Sequence, residues 1–238
     1  MIENADLAIL TFLTKFSGKS GLFDHLINAL SRLDLFKGVV LMCLFWFTWA
    51  RVEPNQTVRG RDERHERLVN VLVGSLLIVA LARVLQLTLH LHQRPLLSDL
   101  HLPFPLLESG AAHLSGWNSF PSDHSMLFFA LSTGLWTVNR SAGAVAFAWS
   151  LLVIDLPRIY LGIHYPSDVV GGAILGTICM VSFLALPLSK LNNALSAWRN
   201  AHQGAFIVVM FFVTDELAHL LDDLRELAQS TSHIIFHG

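Results

Sequence analysis

The run LVNVLVGSLLIVALARVLQLTLHL, residues 68–91, decides the fold class. Arg83 is its one Asp, Glu, Lys or Arg. A bilayer has a hydrocarbon core of ~30 Å, and a spanning helix needs ~20 apolar residues, which this run supplies. An arginine inside such a segment is an intramembrane charge that demands a partner. Composition agrees: 53% of the 238 residues are hydrophobic and 14% charged, against roughly 25% charged in soluble domains. The mean hydropathy is +0.52. The chain reads as one integral membrane domain, and a net charge of −2 gives no reason to expect nucleic acid. Cys43 and Cys179 both lie in apolar runs, where packing is a better reading than a disulfide.

Outward from this run, the spacing predicts further spans at 36–50, about 123–139, about 142–157 and about 168–188, the middle two borrowing length from their flanks. Residues 7–16 and 22–33 carry apolar positions at helical spacing (Phe23, Leu26, Ile27, Leu30, Leu33), broken by Lys19, Ser20 and Gly21. They read as amphipathic helices at the interface, with 22–33 alternatively the start of the first span. The N-terminus has Glu3 and Asp6 and no basic region before its first apolar stretch, so no signal peptide is expected. The expected fold is all-α: a polytopic membrane bundle of about five to six helices. Residues 1–35 form an interfacial segment, 36–190 the membrane core and 191–238 an amphipathic tail. In that tail AFIVVMFFV (205–213) is too short to span, and Leu217, Leu220, Leu221, Leu224 and Leu227 form one helical stripe. Its other face is acidic, which disfavours anionic lipid and leaves a second copy of the chain, or its own domain, as the partner.

Orientation follows from arginine. The 51–67 loop carries Arg51, Arg59, Arg61, Arg64 and Arg67, whereas 92–122 has only Arg94 and 158–168 only Arg158. The positive-inside rule puts the first in the cytoplasm and the other two on the opposite side, although Lys15, Lys19, Arg32 and Lys37 run against it.

Three polar clusters then share the outer face: HLHQRP (90–95), FPSDH (120–124) and RIYLGIHYPSD (158–168). Each has an innocent reading. Ser122 or Asp123 can cap a helix behind Pro121, Arg94 or Arg158 can anchor at the interface, and Ser167–Asp168 can cap the next helix. The His164-x-x-x-Asp168 spacing is also half a metal site. Together, two arginines, two histidines, a serine and an aspartate suit phosphoryl transfer. Guanidinium forks bind phosphate oxygens, a carboxylate-oriented histidine is an activated nucleophile, and a second histidine can move protons.

These residues resemble the three-part signature of the type 2 phosphatidic-acid phosphatase superfamily: Lys, six residues, Arg-Pro; Pro-Ser-Gly-His; and Ser-Arg, five residues, His, three residues, Asp. Arg94-Pro95, Pro121-Ser122-Asp123-His124, and Arg158, His164 and Asp168 match it, over roughly 68–188. The resemblance implies a metal-free membrane phosphatase without a cofactor. It implies His164 as nucleophile held by Asp168, and His124 as acid and base. Arg94, Arg158 and Ser122 would bind phosphate, and Asp123 and Pro121 complete the expected substrate-binding set. Three positions depart: Leu87 stands for the lysine, Pro157 for the serine and Asp123 for the glycine. Arg83 lies one helical turn deeper than Leu87, too far down to replace the lysine. The Pro-Ser-Asp-His form is similar to bacterial undecaprenyl-diphosphate phosphatases of this superfamily. A helix N-terminus disfavours a cationic imidazole and a neighbouring carboxylate opposes that, so Asp123 keeps His124 available as an acid. The expected substrate is a lipid phosphate, undecaprenyl diphosphate first among phosphatidate, phosphatidylglycerophosphate and lipid A phosphates, on the outer side of the cytoplasmic membrane. A non-catalytic lipid-binding or transport protein is the competing class.

Overall fold

A computed structural model describes residues 2–33, 35–52, 57–89, 92–105 and 118–220. Among these, α1 covers Ile2–Thr14, α2 Gly21–Arg32 and α3 Val40–Ala50, the last entered through a wide π-turn at Leu35–Val39. The long α4 is Val58–Thr88, followed by α5 Asp123–Val138, α6 Arg140–Tyr160 and α7 Pro166–Leu184. Ser189–Ala201 (α8) and Gln203–Ala218 (α9) end the described chain. The structure is all-helical over the described residues, as the sequence predicts.

Among the described residues three helices, α4, α6 and α7, are long and apolar enough to cross a membrane. A fourth span results if α2 and the Leu35–Ala50 helix, bent by 74°, count as one. This is fewer than five or six. At 16 residues α5 is about 24 Å long, because its N-terminus begins inside the bundle rather than at its edge. The arginine-rich segment also differs from the loop expected. Residues 58–67 are the first turns of α4, capped by Thr57 Oγ1 accepting from Gly60 N at 3.1 Å. An Arg59–Glu63 pair at 3.0 Å lies along its exposed face.

The bundle is organised around α5, which buries twelve of its sixteen residues. Glycines on α7 let the two backbones approach: a methyl at Gly172 would lie 2.5 Å from the Ser122 carbonyl, and one at Gly176 would collide with that of Met126. Asn139 joins α5 to α6 as a single residue, its side chain accepting from Ser141 and Ala142 N–H groups, both at 3.1 Å. In α6 a π-turn at Ser150–Asp155 precedes Pro157, which has no N–H to give the turn before it. Phe206, Met210, Leu217 and Leu220 are buried in the same core as Leu72, Met126 and Phe128. The described part of the C-terminal stripe therefore packs on its own chain. The rest, with Leu221, Leu224 and Leu227, lies outside the described residues. Cys43 and Cys179 are free thiols.

Candidate active site

The predicted site residues gather at one end of the bundle. Ser122, Asp123 and His124 start α5, Arg158 ends α6, His164 lies in the turn to α7, and Asp168 is in the first turn of α7. Arg94 arrives on the segment after α4. All are buried: Ser122, His164 and Asp168 have 0% exposure, and Arg94 and Arg158 have 6% and 7%. Buried charges at this density need partners, and the partners fix the geometry.

Local bonds explain how the loops are held. The turn after α6 folds back so that Ile163 and His164 N–H groups donate to the Arg158 carbonyl at 2.9 and 3.3 Å. Gly162 sits there at φ 71°, in the left-handed region that favours glycine. Leu96 N donates to the Gly162 carbonyl at 2.9 Å, joining the Arg94–Pro95 segment to this turn. Asn118 Oδ1 accepts from His92 N at 3.0 Å and Phe120 N at 3.2 Å, joining it to the FPSDH loop as well. Ser122 does cap α5, its Oγ accepting from Ser125 N at 3.4 Å, while its own N–H donates to the Asp168 carbonyl at 3.2 Å. Capping and a place in the site coexist.

His164 is held differently from the expectation. Its Nδ1 lies 3.8 Å from Asp168 Oδ2, beyond hydrogen-bond range, but 2.9 Å from the main-chain carbonyl of Ser119. A carbonyl only accepts, so Nδ1 carries the proton and Nε2 keeps its lone pair. Nε2 faces Arg94 Nη1 at 3.2 Å, and Arg94 is in turn fixed by donating to the Ile163 carbonyl at 3.0 Å. The Asp168 carboxylate is occupied otherwise. Its Oδ2 accepts from Ser119 Oγ at 2.5 Å and from Tyr165 N at 2.8 Å, capping α7. The four-residue spacing brings the two groups together, but the cap geometry turns the oxygen away from the ring. Burial pushes the His164 imidazole below the ordinary histidine range. The Asp168 carboxylate opposes that shift, and Arg94 and Arg158 add to it. Burial also lowers Arg94, against the pull of Asp123 and Asp168.

His124 Nδ1 lies 2.9 Å from Asp123 Oδ1, which also accepts the His124 backbone N–H at 2.8 Å. The other oxygen, Asp123 Oδ2, is 2.9 Å from Arg83 Nη1, so Arg83 reaches the site after all. Leu87, at the lysine position, is 72% exposed and faces away. The Pro121 carbonyl accepts from Gln86 Nε2 at 3.0 Å.

Sequence reasoning missed Ser119, Gln86, His92 and Asp155. His92 stacks on Tyr165 at 4.7 Å with its Nδ1 3.4 Å from Asp168 Oδ1. The wholly buried Asp155 accepts from Ser125 Oγ at 2.8 Å, one turn before Arg158. The polar pair Asn118–Ser119 just before FPSDH was the available signal. The others lie within apolar runs or a histidine-rich loop and carried none. Among the described residues no three His, Cys, Asp or Glu side chains are placed to share a metal ion.

Residues 68–190 match the model of the PAP2 superfamily. This chain belongs to that superfamily. It is a multi-pass membrane protein. It is 36% identical over 90 residues to the bacitracin transport permease protein BcrC of Bacillus licheniformis, covering 36% of this chain and 43% of that one. It is 28% identical over 110 residues to the putative undecaprenyl-diphosphatase YbjG of Escherichia coli K12, covering 45% and 52%. The matches thus span about half the length of these relatives. The fold is similar to that of the crystal structure of Aquifex aeolicus LpxE, with a TM-score of 0.50 at 22% identity over 76% of this chain and 94% of that one.

Proposed function

We propose that the protein hydrolyses a phosphate ester or anhydride of a membrane lipid through a phosphohistidine, with undecaprenyl diphosphate as substrate. The observation that carries the reading is the His164 tautomer. Ser119 holds the proton on Nδ1, so the Nε2 lone pair faces the Arg94 guanidinium, where a phosphoryl group would bind. Arg94, Arg158 and Ser122 bind the phosphate oxygens in a loop shaped by Pro121 and Asp123. His164 Nε2 attacks phosphorus, and the bond to the bridging oxygen breaks. His124 gives that oxygen a proton, releasing the lipid monophosphate. His124 then takes a proton from water, whose oxygen attacks phosphorus. The P–N bond breaks, returning inorganic phosphate and free His164. Asp168 stabilises the cationic imidazole by its charge. No metal or cofactor takes part in these steps.

The substrate assignment is supported by the name of the Escherichia coli relative and by an apolar groove of about 430 Å³ walled by Leu13, Phe16, Phe23, Leu152, Leu156 and Pro157. A prenyl tail fits its chemistry. We place the site on the outer side of the cytoplasmic membrane, with α5 crossing besides the three long helices and the bent pair. Residues 1–35 serve as an interfacial segment, 36–190 as the catalytic core and 191–238 as a C-terminal extension. A non-catalytic transport role is the second reading, favoured by the name of the Bacillus licheniformis relative; the complete His164, Asp168 and His124 set weighs for hydrolysis.

Phosphate release by detergent-solubilised protein, with EDTA present, tests this on undecaprenyl diphosphate, phosphatidate, phosphatidylglycerophosphate and a lipid A phosphate. Release from all, fastest from the first, is expected. No release from any substrate supports the transport reading. Activity that dies in EDTA and returns with Mg²⁺ or Zn²⁺ overturns the metal-free mechanism.

A further inference from the structure

We propose that Arg83 is a positioning residue for proton transfer by His124, acting through Asp123. The inference rests on the reading of His124 as acid and base. Arg83 comes from α4, and its Nη1 lies 2.9 Å from Asp123 Oδ2. Asp123 Oδ1 faces the other way, onto His124 Nδ1 at 2.9 Å and the His124 backbone N–H at 2.8 Å. Each carboxylate oxygen thus has its own task. One side is pinned by a guanidinium on a rigid helix, and the other sets the imidazole. A carboxylate facing Nδ1 holds the proton there and leaves Nε2 as the atom that exchanges protons with the leaving oxygen and with water.

Three further observations support a built device rather than a chance pair. Asp123 has a side chain only 9% exposed, so its charge needs compensation where it sits. Gln86, one helical turn along α4, donates Nε2 to the Pro121 carbonyl at 3.0 Å. The same helix therefore grips both ends of the Pro121–Asp123 turn. And two of the three departures from the superfamily signature, Leu87 and Asp123, read as one change. The cation missing at Leu87 stands at Arg83, and the carboxylate at Asp123, where the signature has glycine, receives it. Without Asp123, Arg83 would lack that acceptor; without Arg83, Asp123 would place its whole charge on His124.

The charged groups around His124 are Asp123 on its own helix, Arg158 and, through Ser125, Asp155 on α6, and Lys37 in the turn before α3. The Asp123 carboxylate is bonded to the ring through Oδ1, and Arg83 holds Oδ2. Removing Arg83 should therefore lower kcat, because the carboxylate is no longer held in place. It should also carry the alkaline limb of the kcat profile to higher pH, because the undivided carboxylate charge favours the imidazolium.

The test compares Arg83→Gln, Arg83→Lys, Asp123→Asn and the Arg83→Gln/Asp123→Asn double variant, in kcat and KM across pH with the lipid phosphate as substrate. Arg83→Gln is expected to lower kcat by about tenfold, with KM changed by less than about twofold and the alkaline limb moved upward. Arg83→Lys is expected to restore the limb. If Arg83→Gln leaves Asp123 uncompensated and fails to fold, the double variant removes both charges together. Its kcat, KM and pH profile should equal those of Asp123→Asn within about twofold, because the two residues act as one unit. An additional rise in KM in the double variant over Asp123→Asn would mean that Arg83 touches the phosphate itself, which overturns the inference. So would an Arg83→Gln enzyme with unchanged kcat and pH profile while His124→Ala is inactive. Undiminished release by His124→Ala is a different failure, since it removes the acid–base reading on which the inference stands.

Discussion

Asp168→Asn separates the charge of the carboxylate from its structural work. The amide is nearly the same size, and its oxygen can accept the hydrogen bonds that Oδ2 takes from Ser119 Oγ at 2.5 Å and Tyr165 N at 2.8 Å. The α7 cap survives. Nothing is lost from Oδ1, which accepts no hydrogen bond and has His92 Nδ1 at 3.4 Å. The ring keeps its bond to the Ser119 carbonyl at 2.9 Å. The variant therefore deletes one negative charge 3.8 Å from His164 Nδ1. Once Nε2 bonds phosphorus with Nδ1 still protonated, the imidazole is cationic, and Asp168 attracts it. At an effective dielectric of about 20 that attraction is worth about 4 kcal/mol. With a tenfold change in rate for each ~1.4 kcal/mol, this is a loss of up to about a thousandfold in kcat. KM should move little, because the free imidazole is neutral. The assay is phosphate release at saturating substrate, with the thermal midpoint in detergent as the folding control. A folded Asp168→Asn protein within about tenfold of the parent kcat would refute the reasoning. The carboxylate would then be a helix cap and nothing more.

Other outcomes follow from the same geometry. His164→Ala should abolish turnover while the protein stays folded and still binds inorganic phosphate through Arg94 and Arg158, measured by calorimetry; phosphate release at the parent rate would end the mechanism. Stability should fall with acid through the histidine range. Burial holds His164 below its unfolded value of ~6.5, so the unfolded chain binds more protons. Stability is full above that pH and is lost as pH falls toward the lowered folded value, by at most about 1.4 kcal/mol per pH unit. The midpoint measured against pH should therefore drop less steeply in His164→Ala. For topology, single cysteines at Ser109 and Glu63, in a background without Cys43 and Cys179, are expected to show opposite accessibility on whole cells. An impermeant maleimide should label the first and spare the second. The reverse pattern would place the site in the cytoplasm and remove the outer-leaflet substrate.

The sequence by itself determined what depends on composition and short spacing. The 68–91 run requires a membrane helix whatever its neighbours do, and α4 covers most of it. Helices over 7–16 and 22–33 are legible from their periodicity, and the break at Lys19–Gly21 separates α1 from α2. The motifs, each within a few residues, identify Arg94, Ser122, His124, Arg158, His164 and Asp168, and the chain brings them to one end of the bundle. Tertiary structure decided which atom meets which. Ser119 and His164 are 45 residues apart, and their bond exists only because two turns fold onto one another. Arg83 appears as an isolated charge in an apolar run until α5 is packed against α4, and only then does Asp123 meet it. Asp6 is an acid in an amphipathic segment until α1 docks, where it accepts from Ser167 N–H and Oγ at 2.9 and 2.6 Å, beside Asp168. Periodicity says which face of a helix is buried. It does not say which hydrogen-bond acceptor, among several within 4 Å, a buried imidazole takes, because side-chain direction and loop closure fix that choice to tenths of an ångström.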